Sequence, residues 1–222
     1  MIKEEIKIQK EKMKDQPFIE KLKWFIYYYK IHIGLTVFLI IAVISTASTV
    51  IEGMKERTIS VSLVNARYFD SSESSLLTDY CISRNIDTKE HPASLDLSML
   101  TEQGATDNVS LATSQKLTAY IQTGDIDILI GNKWLIDDYA RLGSFDDIQK
   151  TLPPDLYTLV KDSLVYYTYE DLGKVAIAID LSKNEKFLAT KAYEPTDTPT
   201  MAIPFSAQKK DAAIDFIKYL YE

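Results

Sequence analysis

The chain has 222 residues, 25 Lys+Arg against 32 Asp+Glu, and a formal net charge of −7. That balance excludes the basic stripe of a nucleic-acid binder, and a single Cys excludes an internal disulfide framework or a Cys-rich zinc site. With 46% hydrophobic and 26% charged residues, the composition is neither disordered nor fibrous.

Three segments differ sharply in charge. Residues 1–30 hold 8 Lys and 5 Asp+Glu, a net of +3. Residues 2–14 predict a solvated, partly helical tail. Pro17 suits the first turn of a helix that carries Phe18, Leu22, Phe25, Ile26 and Tyr29 at three- or four-residue spacing, an amphipathic pattern fit for the inner leaflet. Residues 31–52 then predict a transmembrane helix. Ile33 to Ile51 is a run of 19 uncharged residues, or about 28 Å of helix against a hydrocarbon core of roughly 30 Å. Trp24, Phe25, Tyr27, Tyr28 and Tyr29 precede the run together with Lys21, Lys23 and Lys30. Aromatic rings and lysines at that flank place the N-terminus in the cytoplasm and the C-terminal part outside. Ser45-Thr46-Ala47 offers a signal-peptidase site, but the preceding stretch is too long and too acidic for a signal peptide, so an uncleaved anchor is expected. No Cys ends the run, which excludes a lipoprotein anchor.

Residues 53–222 carry the remaining charge of −9 and form the predicted extracytoplasmic domain. Residues 58–64 alternate as a strand, Glu73 to Arg84 form a helix capped by Ser71 or Ser72, and 94–98 form a weak strand. A polar loop over 101–110 leads to a helix over 112–122 that ends at Gly124, and 125–130 is an apolar strand broken by Gly131. Helix is expected over 133–142 and, after Pro153-Pro154, over 155–163. Residues 164–169 and 174–180 predict a hairpin, 200–205 a strand that Pro204 makes an edge or an end, and 209–219 a last helix capped by Ser206. The alternation argues for an α/β domain with a mostly parallel sheet flanked by helices.

Three segments resemble the type II solute-binding proteins of ABC transporters. Lys116 to Leu129 is similar to the family's helix, Gly-Asp turn and apolar strand. Tyr139 to Ile148 is similar to a Gly-x-Leu-x-Asp-Leu segment, and Ala212 to Leu220 resembles a helix with an Ala-x-x-Phe-x-x-x-Leu face. The resemblance implies a single lobe of that fold. Only about 20 residues separate the Pro153-Pro154 helix from the strand at Lys174, too few for a second lobe that would close over a ligand.

In such sheets ligands sit beyond the carboxyl ends of strands. Those positions are Asn65, Arg67 and Tyr68, then Asn132 and Trp134, then Asp180. Trp134 suits stacking on a sugar or peptide plane, the two Asn suit polar groups, and Arg67 suits a carboxylate. Asp125-Ile126-Asp127, Asp137-Asp138 and Asp146-Asp147 are read as turn and helix positions rather than metal ligands, and Cys81 as a buried thiol. No catalytic residue or cofactor is expected. The expected function is a membrane-anchored binding or interaction module, with the lipid bilayer, a transporter permease or other membrane protein, and a small-molecule or peptide ligand as partners. A scaffold or assembly subunit of a membrane complex is the alternative, ahead of a membrane-bound hydrolase or transferase.

Overall fold

The computed structural model describes residues 17–53, 55–68, 74–194 and 196–222. The predicted tail over 2–14 and the Ser71 or Ser72 cap lie outside them. The chain divides into two units, Met1–Lys55 and Glu56–Glu222.

In the first unit a single helix, α1, runs over Phe18–Gly53. Its stretch Tyr29–Val50, 22 residues, is long and apolar enough to cross a membrane, and none of its most apolar window is buried. Length and composition of this kind suit a membrane anchor or a signal sequence.

The second unit is a six-stranded sheet with helices on both faces. In chain order its elements are β1 (Ser60–Leu63), α2 (Leu76–Ser83), β2 (Ser94–Asp96), α3 (Asn108–Thr123), β3 (Ile128–Asn132), α4 (Lys133–Ala140), α5 (Ile148–Thr151), α6 (Pro154–Val160), β4 (Leu164–Tyr169), β5 (Gly173–Asp180), α7 (Glu185–Ala189), β6 (Pro199–Ala202) and α8 (Lys210–Tyr221). The strand order is β2-β1-β3-β6-β5-β4. β1 pairs in parallel with β2 and β3. The β3–β6, β5–β6 and β4–β5 pairs are antiparallel. The expected mostly parallel sheet is therefore corrected to a mixed sheet with more antiparallel than parallel pairings. The β4–β5 turn reverses the chain at once, and β6 returns into the gap between β3 and β5. No crossover helix is needed for either antiparallel step.

Alternation along the strands divides the core between the two faces. Val61, Leu63, Ile128, Ile130 and Met201 pack with Tyr80 and Leu77 of α2 and with Phe216, Ile217 and Leu220 of α8. Val64, Leu129 and Ala202 pack on the other face with Leu117 and Ile121 of α3 and Leu135 and Ile136 of α4. Full burial of each such aliphatic side chain contributes about 1.5–3 kcal/mol.

Several boundaries differ from the sequence expectation for local reasons. α3 begins at Asn108, within the expected loop, because the Asp107 carboxylate accepts from the Val109 and Ser110 amides at 2.9 and 3.1 Å. Gly131 lies inside β3 instead of breaking it. A Cβ there would lie 2.8 Å from Leu135 Cδ2, so the glycine lets α4 turn back closely on its strand. α8 is not capped by Ser206, whose hydroxyl donates to the Ile121 carbonyl. The acceptor at its start is Asp127, which is 3% exposed. Its Oδ1 accepts from the Lys209 amide and its Oδ2 from the Ser60 amide, both at 2.8 Å. One buried carboxylate thus joins the entry of β1 to the entry of α8.

Two substitutions test this framework. Asp127→Ala leaves the Lys209 and Ser60 amides without their acceptor and is expected to destabilise the domain by about 2–4 kcal/mol in urea denaturation. Gly124 has a φ of +74°, and a Cβ there would lie 2.5 Å from the Ser206 carbonyl oxygen. Gly124→Ala is therefore expected to lower the urea midpoint, with a cost of at least about 1 kcal/mol.

Candidate functional site

The parallel strands set the first part of the site. With the order β2-β1-β3, the direction of winding reverses between β1 and β3, and their carboxyl ends flank a crevice. Asn65 and Asn132 meet there, Asn65 Nδ2 donating to Asn132 Oδ1 at 3.2 Å. Asn65 holds a φ of +63°, a conformation Asn tolerates better than most residues. Its own Oδ1 accepts from the Thr101 amide at 2.8 Å. Asp180 lies along the same sheet edge across β6, since Asn132 is in register with Pro199 and Asp180 with Thr200. The Asp180 carboxylate accepts from the Ser182 amide at 2.8 Å and so closes the turn after β5.

A strap made of the chain itself fills this edge. Residues 190–194 and 196–198, between α7 and β6, pass over the ends of β1 and β3. The Tyr68 hydroxyl donates to the Thr190 carbonyl, and the Arg67 amide to the Ala192 carbonyl at 2.9 Å. Arg67 Nε lies 3.1 Å from Glu194 Oε1, so the carboxylate this arginine meets is the chain's own. Asn132 Nδ2 reaches Asp197 Oδ1 at 3.4 Å. Between these contacts the Tyr193 side chain descends into the crevice. Its hydroxyl shares one proton between the Val64 carbonyl at 2.7 Å and the Ile130 carbonyl at 3.1 Å. Burial, reinforced by the charge of Asp197, holds that hydroxyl protonated far above the usual tyrosine range.

Trp134 stands apart from the Asn65–Asn132 pair. It is the second residue of α4 and lines a second recess, a cleft of about 340 Å³ bounded by α3, α4 and the 101–105 loop. Thr101, Glu102, Ser114, Thr118, Asp138 and Tyr139 also line it. The Tyr139 hydroxyl donates to the Ser114 carbonyl at 3.2 Å, and burial raises its pKa. A shallower recess, lined by Asn65, Glu102 and Asp107, lies on the other side of Thr101. The 101–102 segment therefore separates the Asn65 side from the Trp134 side.

The acidic pairs have structural partners. Asp137 pairs with Lys133 at 2.5 Å, Asp138 with Arg141, and Asp146 with Lys210 at 2.5 Å. Asp147 caps α5 through the Gln149 amide at 3.1 Å. Cys81 is buried, and desolvation raises its thiol pKa. Among the described residues no three His, Cys, Asp or Glu side chains converge on a cation.

Sequence reasoning missed Tyr193, Asp197, Glu102 and Tyr139. Tyr193 lies in a Lys-, Glu-, Thr- and Pro-rich stretch without periodicity. Its one signal is a bulky aromatic residue in an otherwise polar loop. Comparison with known protein families, curated proteins and solved structures returns no match.

The strap has a direct test. Tyr193→Phe keeps the ring and removes the shared hydrogen bond, an expected loss of about 1–3 kcal/mol in urea denaturation at neutral pH. The alkaline limb adds a second readout. In the unfolded chain this tyrosine ionises near pH ~10. Above that pH the folded state retains a proton that the unfolded state has lost. The stabilisation is thus complete below the unfolded pKa and falls as pH rises, by about 1.4 kcal/mol per pH unit for one group. Tyr193→Phe is expected to flatten that limb by the same slope.

Proposed function

We propose that the chain is a single-pass membrane protein that holds an α/β interaction module outside the cytoplasm, with its N-terminus inside. The observation that carries this reading is the Tyr29–Val50 stretch, an apolar helix whose most apolar window is unburied, followed by a domain with its own two-sided core. A helix of that length spans about 33 Å and satisfies its backbone internally in lipid. The +3 charge of residues 1–30, set against −9 on residues 53–222, supports the orientation.

The module acts without catalysis, by contact with another membrane protein. The strap favours this over capture of a free solute at the strand ends. Tyr193, Asn65, Asn132 and Arg67 are engaged by the chain itself, so a solute would first have to displace Tyr193, Glu194 and Asp197. The resemblance to one lobe of an ABC-transporter solute-binding protein supports a permease as the partner class. The cleft beside Trp134 is the exposed recess through which contact is made.

Protease added to intact cells tests the topology. Digestion of residues 53–222 with protection of a tag at the N-terminus is the expected pattern, and the reverse pattern overturns it. Crosslinking in native membranes is expected to recover a membrane protein, with yield lowered by Trp134→Ala.

A further inference from the structure

The cleft beside Trp134 combines features that select one kind of chemistry. Trp134, in the first turn of α4, is half-buried and lines the recess. Glu102, on the 101–105 loop, also lines it, and its carboxylate has no hydrogen-bond or ion-pair partner among the described residues. Asp138, one turn further along α4, adds a second carboxylate, which shares Arg141. Two more flanking cations are engaged elsewhere. Lys133 is bound to Asp137, and Lys116 to Asp96 at 2.7 Å. The recess thus presents an aromatic surface and an uncompensated negative charge, on a domain carrying −9.

Two leucines add apolar surface to the lining, Leu135, which is buried, and Leu142, just past the end of α4, which is 73% exposed. The eight residues of α4 measure roughly 12 Å. That length takes the aliphatic stem of a long basic side chain along the leucines, with its charged head at the tryptophan and carboxylates. An aromatic ring draws a cation to its face, and a nearby carboxylate fixes it laterally.

We infer that the α3–α4 cleft is a docking site for an arginine or lysine side chain carried on an extended segment of a partner protein. This rests on the interaction-module reading and names the chemistry of the partner at that site. Guanidinium is favoured over ammonium, because its planar group stacks on an indole while donating in plane to Glu102. The negative charge of the domain draws basic segments toward it, and added salt weakens that attraction.

The test uses the full chain in detergent micelles. The sequence holds two tryptophans, Trp24 and Trp134, so Trp24→Phe leaves Trp134 as the sole indole reporter. The probes are a capped Gly-Arg-Gly tripeptide, its neutral citrulline counterpart, and agmatine, a free guanidinium compound. The expected result is a saturable change in Trp134 fluorescence with the arginine peptide, at least about tenfold weaker with citrulline. Glu102→Gln is expected to weaken binding about two- to fivefold at unchanged Tm. In the chain that retains Trp24, the thermal stabilisation given by the peptide is expected to vanish on Trp134→Ala.

Equal response to the arginine and citrulline peptides overturns the inference, as does Glu102→Gln binding like the parent chain. Agmatine binding as tightly as the tripeptide overturns the peptide assignment and identifies a free organic cation as the ligand. Titration in micelles is blind to membrane sidedness, whereas protease protection in cells reports sidedness alone. A failure of the cation site is therefore distinguishable from a failure of the membrane-module reading.

Discussion

Where two parallel strands end inside a domain, their last carbonyls must find donors or remain buried without partners at a cost of about 1–3 kcal/mol each. In this domain Tyr193 supplies the donor. Its hydroxyl proton is shared between the carbonyl of Val64, just past the end of β1, and that of Ile130 within β3, and the Ile130 carbonyl also accepts from the Val64 amide at 2.8 Å. The rest of the strap follows from that anchor. With Tyr193 in place, Arg67 and Glu194 on one side and Asn132 and Asp197 on the other are brought into range. The edge at which an open α/β sheet would ordinarily receive a ligand is thereby occupied by the protein's own chain.

Asp127 performs the complementary task at the opposite end of the sheet. Its two oxygens hold the first residue of β1 and the amide that leads into α8, elements more than a hundred residues apart in sequence. Between these two polar fasteners lies a sheet whose faces are almost wholly apolar. Tyr193 and Asp127 thus sit at opposite ends of the strands, and the middle is held by packing. The cleft beside Trp134 lies laterally, between α3, α4 and the 101–105 loop.

Much of this was legible residue by residue. The apolar span stands out because lipid requires a long uninterrupted run, and no tertiary contact is needed to recognise one. Most strands and helices were placed by their period, and Asn65, Asn132 and Asp180 were placed along one edge because strand ends are visible as breaks in an apolar pattern. Boundaries failed where a single polar group decided them, as with Asp107 at α3 and Asp127 at α8. The sheet direction failed for another reason. β6 carries the same local pattern whether it runs parallel or antiparallel to β3, since alternation records only which face a residue occupies.

By itself, then, the sequence determined the apolar span, its charge asymmetry, the α/β class and the residues at the strand ends. Each of these is a local property of composition or period. The mixed pairing, the self-filled crevice and the union of Trp134 with Glu102 across two loops were decided only by tertiary structure. Each depends on residues distant in sequence coming together, as Tyr193 and Val64 do across 129 positions. No local pattern in the chain encodes that a tyrosine in a polar loop will satisfy a carbonyl at the end of the first strand.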